Sequence, residues 1–254
     1  MIMVLSGTKD GRELVKDLLD KGYPLIVTTA TDYGGTLIEK NELCTIVPKK
    51  LNKKEMEELI IEKNIKVLID ATHPYAVEVS QNAIDACENT NILYFRYQRE
   101  KANLDQYKEL VQYVSEYEKA VESLKKIDGN ILLTTGSKTL ELFAKNSPME
   151  KLFPRVLPVS TIIKKCESLG IKPSNIIAMQ GPFSTEMNVE MIKKYKIDIL
   201  VSKESGDIGG TIQKLEAAQK MNIPVILIER PKIVYKNVFE DRNLLMKKVS
   251  EAYG

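Results

Sequence analysis

Cysteine and histidine are scarce in this chain, and the scarcity removes whole classes of chemistry. Three cysteines, Cys44, Cys87 and Cys166, stand far apart among 254 residues. An odd, scattered set makes neither a disulfide framework nor a metal-ligand spacing. His73 is the one histidine, so a zinc ion held by several Cys and His side chains is disfavoured and no protein-held metal is expected. A charge excess is missing as well: 37 Lys+Arg against 35 Asp+Glu leave +2. No global field then favours nucleic acid or an anionic membrane, and an anionic ligand needs a local cluster of cations. Long apolar runs are also lacking. Met1–Leu5 is too short for a signal-peptide core, and nothing later approaches the roughly 18 apolar residues of a membrane span. The expectation is a cytoplasmic protein with no nucleic-acid or membrane partner.

What the chain does have is 43% hydrophobic and 28% charged residues, an ordinary globular composition with room for two modest domains. Short, continuous apolar runs recur: Ile2–Leu5, Leu25–Val27, Val67–Ile69, Leu93–Phe95, Ile131–Leu133, Ile176–Met179, Ile199–Val201 and Val225–Ile228. Unbroken runs suit strands buried on both faces of a parallel sheet. Between them lie helical stripes: Leu14, Val15, Leu18 and Leu19; Met56, Leu59 and Ile60; Met187, Met191, Ile192 and Tyr195; Ile212, Leu215 and Ala218. Such alternation predicts doubly wound α/β sheets. It falters after Tyr97, where Gln98–Lys108 reads as a polar connector before a charged helix over Ser115–Lys126. The domain boundary is therefore placed near residue 100, giving domains 1–100 and 101–254, with a terminal helix over Asn237–Ala252 able to cap either lobe.

Ligands of open α/β sheets bind beyond the carboxyl ends of the strands, and small and hydroxyl residues gather there. Ser6-Gly7-Thr8-Lys9-Asp10-Gly11-Arg12 offers backbone N–H groups and a helix start to a phosphate, although Ser6 and Thr8 stand where G-x-G-x-x-G has its first glycines. Asp70-Ala71-Thr72-His73-Pro74-Tyr75-Ala76 follows another strand. Thr72 and His73 read there either as cap and turn, with Pro74 in the first turn of a helix, or as groups that bind a ligand and move a proton. Thr134-Thr135-Gly136-Ser137-Lys138 lacks the spacing of a Walker A loop, and reads as a strand–helix turn or as an anion-holding loop. Gln180-Gly181-Pro182-Phe183-Ser184 marks a further strand end. Lys203–Gly210 is a charged loop with three glycines, costly to order unless it meets a ligand. Arg230 adds a cation to the same edge.

Taken together and in this order, these motifs resemble the precorrin-6A reductase family of corrin-ring (vitamin B12) biosynthesis, over essentially the whole chain. Asn82-Ala83, Arg96, Arg155-Val156-Leu157-Pro158 and Glu229-Arg230-Pro231 belong to the resemblance; Ser6 departs from it, since the family more often has glycine there. The resemblance implies two Rossmann-like domains with mainly parallel sheets facing a central cleft, and a nicotinamide-dependent reduction of one ring double bond of precorrin-6A, metal-free or cobalt-loaded. NADPH and NADH both stay open as cofactor: the second strand ends Val27-Thr28-Thr29-Ala30, without the acidic residue of an NAD-type site, yet with no arginine for a 2′-phosphate. Gly7, Thr8, Gly11 and Arg12 are implied for the cofactor phosphates, with Thr72 near the nicotinamide and Ser205 and Gly206 at the cofactor's far end. Tyr75, His73 or a water is implied as proton donor. The substrate is a tetrapyrrole with many carboxylates, to be met by Arg96, Gly136, Ser137, Lys138, Gln180, Lys203 and Arg230. Two other classes fit the same residues less fully, a non-catalytic dinucleotide-sensing module and a two-lobed transferase.

Overall fold

The computed structural model describes residues 1–98, 103–206 and 209–253. It divides into two compact units, Met1–Glu100 with Pro231–Gly254, and Lys101–Arg230. The first unit begins β1 (Ile2–Leu5), α1 (Lys9–Asp20), β2 (Leu25–Thr28), α2 (Asp32–Thr36), β3 (Cys44–Val47), α3 (Lys53–Glu62), β4 (Val67–Asp70), α4 (Val77–Thr90) and β5 (Leu93–Tyr97). The second runs β6 (Val111–Val114), α5 (Tyr117–Leu124), β7 (Asn130–Leu133), α6 (Leu140–Asn146), β8 (Leu152–Val156), α7 (Ser160–Ser168), β9 (Ile177–Ala178), α8 (Thr185–Lys194), β10 (Ile197–Lys203), α9 (Thr211–Lys220) and β11 (Val225–Ile228). The chain then returns to the first unit with β12 (Val238–Phe239) and α10 (Arg242–Tyr253).

Every strand pair is parallel, β12-β5-β4-β1-β2-β3 in one sheet and β6-β11-β10-β7-β8-β9 in the other. The apolar runs are continuous for the reason a doubly covered sheet requires. In β1, Ile2 and Val4 enter one core with Leu14, Leu18 and Leu245, whereas Met3 and Leu5 enter the opposite core with Met56, Ile60 and Ala83. Side chains two residues apart share a face, so a strand covered on both sides has no solvent position left. The terminal helix packs on the first unit, where Leu245, Met246 and Val249 are buried. It starts at Arg242, because the residues ahead of it pair beside β5 as β12.

Other departures have physical causes. β3 is a half-exposed edge and β6 exposes its central Gln112 and Tyr113, so neither reads as an unbroken run. β8 is buried along its whole length while carrying Pro154 and Arg155, and its polar residue hid it. In α8, Met187 is exposed and the inward face is Thr185, Asn188, Met191 and Ile192. Asparagine takes the inward place because it bonds a buried arginine, as the site makes plain. The polar connector's residues 99–102 and the glycine loop's 207–208 lie outside the described residues.

Candidate functional site

Strand order reverses between β1 and β4 in the first sheet and between β7 and β10 in the second. At each reversal the flanking crossovers depart to opposite faces, leaving a crevice at the strand C-termini. Four of the sequence motifs fall at these two points.

At the first, the loop after β1 is held to the loop after β4. Thr8 is the N-cap of α1, its Oγ1 accepting from Gly11 N at 3.0 Å, and the same hydroxyl donates to Ala71 O at 3.2 Å. Gly11 fits only without a side chain: a Cβ there would lie 2.8 Å from Ser6 Oγ and 3.1 Å from Ala71 O. Gly7 has φ +149, and a Cβ on it would meet nothing within 4 Å, so the loop backbone is bare toward open space beside the α1 N-terminus. Ser6 Oγ is buried without a hydrogen-bond partner. Arg12 is half-buried on α1 and lines a groove of about 550 Å³ in which Lys9, Lys16 and Lys40 stand among Glu13, Asp20 and Glu39.

The loop after β4 turns on a buried carboxylate. Asp70 accepts from Thr72 N (3.0 Å), Thr72 Oγ1 (2.6 Å), Ser80 Oγ (2.6 Å) and Tyr94 OH (2.9 Å). It also pairs with Arg96 at 2.7 Å, both side chains being 0% exposed. Arg96 in turn donates to Thr72 Oγ1 and Thr72 O at 3.2 and 3.0 Å, and stacks on Tyr235. Arg96, expected from the resemblance to meet a substrate carboxylate, has its charge enclosed and paired with Asp70. Burial, and next the Asp70 carboxylate, drive the Tyr94 phenol far above its ordinary pKa and the Cys87 thiol up to about 12.

Thr72 is likewise turned inward and caps nothing. The helix begins at Val77, with Ala76 as N-cap and no side-chain cap bond, so Pro74 precedes it rather than opening it. Residues 73–76 form a turn closed by Ala76 N to His73 O at 2.8 Å. His73 Nδ1 accepts from Tyr75 N at 3.3 Å, and the two half-buried rings lie 5.5 Å apart. An accepting Nδ1 places the proton of the neutral ring on Nε2.

The second reversal repeats the device. Glu204, just past β10, pairs with Arg230, just past β11, and both are nearly buried. Glu204 Oε1 accepts from Arg230 at 3.1 Å and from Gly206 N at 3.1 Å. Both pairs span 26 residues. Arg230 therefore anchors its loop, as Arg96 does, instead of presenting an open cation. Ser205 is buried, its N–H and Oγ both on Thr211 Oγ1 (3.1 and 3.2 Å), and Gly206 takes φ +71. These two residues shape the loop.

After β7, Thr134 Oγ1 donates to Val201 O, which ties this loop to β10. Gly136 has φ +86, Ser137 O accepts from Lys165, and Lys138 is exposed. Gln180 is exposed past β9, the outermost strand, two strands from the reversal. Lys203 at the end of β10 is pushed down to about 8 by burial, and further by Lys138.

Two residues of this edge were given no role by the sequence expectations. Arg155 in β8 is 8% exposed, donates to Asn188 Oδ1 at 2.7 Å and stacks on Phe183. Lys214 is 8% exposed and donates to Ser202 Oγ and Gly209 O at 3.2 and 3.4 Å. Burial first, then Arg155 and Lys203, lower Lys214 to about 7. A signal was present in the sequence: Lys214 sits at helical spacing with Thr211, Leu215 and Ala218, a charge on a buried stripe. Its effect on stability has a definite sign. The unfolded chain binds this proton up to the ordinary lysine range and the folded chain only to about 7, so stability rises with pH across that window and is lost as pH falls through about 7. Urea midpoints are expected to climb from about pH 7 to about pH 9.5, and Lys214→Met is expected to flatten the climb.

Among the described residues no group of three or more His, Cys, Asp or Glu side chains is placed to hold a metal, and no helix is long and apolar enough to cross a membrane. The family model described as "Precorrin-6x reductase CbiJ/CobK" matches residues 1–250. A "Cobalt-precorrin-6A reductase" of Priestia megaterium is 39% identical over 242 residues, 94% of each chain. One from Methanocaldococcus jannaschii is 37% identical over 253 residues, 98% of each. A solved structure titled "CobK precorrin-6A reductase" superposes with TM-score 0.80 at 22% identity, covering 99% of this chain and 96% of that one, a likeness of fold.

Proposed function

The chain belongs to the precorrin-6x reductase CbiJ/CobK family, and from that premise we propose that it reduces one ring double bond of precorrin-6A, free or cobalt-loaded, using NADPH or NADH. The observation that carries the cofactor reading is the pair of loops at the first strand reversal. There a bare glycine backbone, the N-terminus of α1 and the buried, unpartnered Ser6 Oγ meet at one edge. That set fits a dinucleotide, whose pyrophosphate is held by backbone N–H groups at a helix N-terminus. Gly7, Thr8 and Gly11 would hold the phosphates, with Arg12 beside them.

When bound, the reduced nicotinamide supplies the hydride for one carbon of the double bond. The neighbouring carbon then needs a proton, and His73 is the donor we assign. Imidazole is the side chain whose ordinary titration lies nearest neutrality; the protonated ring would give its Nε2 proton to the carbon, and in the neutral ring left behind Nδ1 accepts from Tyr75 N. Asp70 and Arg96 fix Thr72, and so the turn that carries His73. In the second unit Lys138 and Lys203, on adjacent strand ends, supply positive charge for the substrate's carboxylates. Ser205 and Gly206, together with the Glu204–Arg230 pair, hold the loop behind them.

The test is anaerobic incubation of the protein with metal-free and cobalt-loaded precorrin-6A, each with NADPH or NADH. Loss of nicotinamide absorbance and a mass gain of two hydrogens in the macrocycle are the readouts. Turnover is expected in at least one mixture. Dinucleotide binding without turnover in any of them leaves a sensing module as the better reading, and no binding of either nucleotide favours a transferase.

A further inference from the structure

Arg155 and Lys214 stand out because nothing among the described residues matches their charges. Both are more than nine-tenths buried, yet no carboxylate of the described residues pairs with either. Arg155 rests on an asparagine oxygen, a methionine sulfur and a phenyl ring, and Lys214 on a serine hydroxyl and a backbone carbonyl. Their neighbours offer no relief. Lys203 and Arg155 both act on Lys214 as like charges. α8 turns Asn188 and Met191 toward the guanidinium. Glu204 is committed to Arg230 and Glu216 to Thr185 Oγ1. Buried cations without counter-charge are costly, and a fold that needed only packing there would do better with apolar side chains. The first unit shows the alternative: its buried Arg96 has a carboxylate of its own.

We propose that Arg155, near the C-terminal end of β8, and Lys214, on α9 against Ser202 of β10, form a receptor for an oxyanion of the bound ligand, a side-chain carboxylate of the tetrapyrrole. This deepens the reductase reading and rests on it for the identity of the ligand. Lys214 then acts as a switch. Its nitrogen gives up its proton near neutrality in the free protein, and an arriving carboxylate favours the ammonium, so binding takes up a proton. Affinity falls as pH rises through that range. Lys214 also touches Gly209 O, at the mouth of the glycine loop, and Ser202 at the end of β10.

The experiment is calorimetric titration of wild type, Lys214→Met and Arg155→Gln with uroporphyrin, a stable tetrapyrrole polycarboxylate, and separately with NADPH. Each titration is run in two buffers of different ionisation enthalpy. The expected result is proton uptake with uroporphyrin in wild type. In Lys214→Met the uptake is lost and binding is about tenfold or more weaker at neutral pH, as expected for one charge-assisted hydrogen bond. NADPH binding stays unchanged, and the thermal midpoint of Lys214→Met does not fall. Unchanged uroporphyrin binding in both variants overturns the proposal. So does a lowered midpoint with intact proton uptake, which would make Lys214 structural. Losses confined to NADPH would place a cofactor phosphate there and overturn the carboxylate. Wild type that shows Lys214-dependent uptake but never turns over precorrin-6A keeps this site and sinks the reductase reading. Turnover with no such uptake does the reverse.

Discussion

Asp70→Ala is expected to cost about 3–5 kcal/mol of stability, the usual consequence of removing one partner from a buried ion pair. The carboxylate is enclosed, and five donor groups converge on it: the Thr72 N–H and hydroxyl, the Ser80 and Tyr94 hydroxyls, and the Arg96 guanidinium. Its loss strands all of them, and the guanidinium most severely, since Asp70 is the one acid among the described residues that pairs with it. The cost exceeds that of any single lost hydrogen bond, which is about 1 kcal/mol net. Urea unfolding measures the sum. Hydrogen exchange locates it, with amides of β4 and β5 losing protection while those of β7 and β10 keep theirs. Removing the guanidinium as well, in Asp70→Ala with Arg96→Met, is expected to recover part of the loss, because the stranded charge is then gone. A single-variant cost below about 1 kcal/mol would mean that Arg96 finds water or another partner.

His73→Ala is expected to lower kcat by about 10²- to 10⁴-fold, the range of general acid–base catalysis, with a much smaller change in KM for either substrate. Tyr75→Phe is expected to stay close to wild type, because the bond that orients the imidazole comes from the Tyr75 backbone N–H and survives the substitution. The two variants separate the candidates left open by the sequence. A collapse of Tyr75→Phe with an active His73→Ala would transfer the donor role to the phenol, and near-normal turnover in both would leave water as the proton source. The pH profile adds an independent readout, since loss of the imidazole removes the corresponding limb. Because His73 hangs on a turn held by Asp70 and Arg96, Arg96→Lys is the control for positioning: it keeps the charge while surrendering the fork that reaches both Thr72 oxygens.

The sequence alone determined that strands alternate with helices, that the sheets are covered on both faces, and where eight of the twelve described strands lie. Those features are local. A run such as Ile2–Leu5 has one use, and Gly7 and Gly11 announce a turn because few other residues tolerate it. Family resemblance added the reaction class. What only the tertiary structure decided is the fate of the charges. Arg96 and Arg230 read as cations available to a ligand, since composition gives each one a default place in water; β4 beside β5, and β10 beside β11, set a carboxylate against each across 26 residues. Arg155 entered the sequence reading only as part of a motif and Lys214 not at all, and the packing of β8, α8 and α9 encloses both with no carboxylate of the described residues beside them. Burial and pairing depend on which strands become neighbours, an outcome of the whole chain's packing, and the same arginine is a ligand-binding group or an internal strut according to whether an acid is folded in beside it.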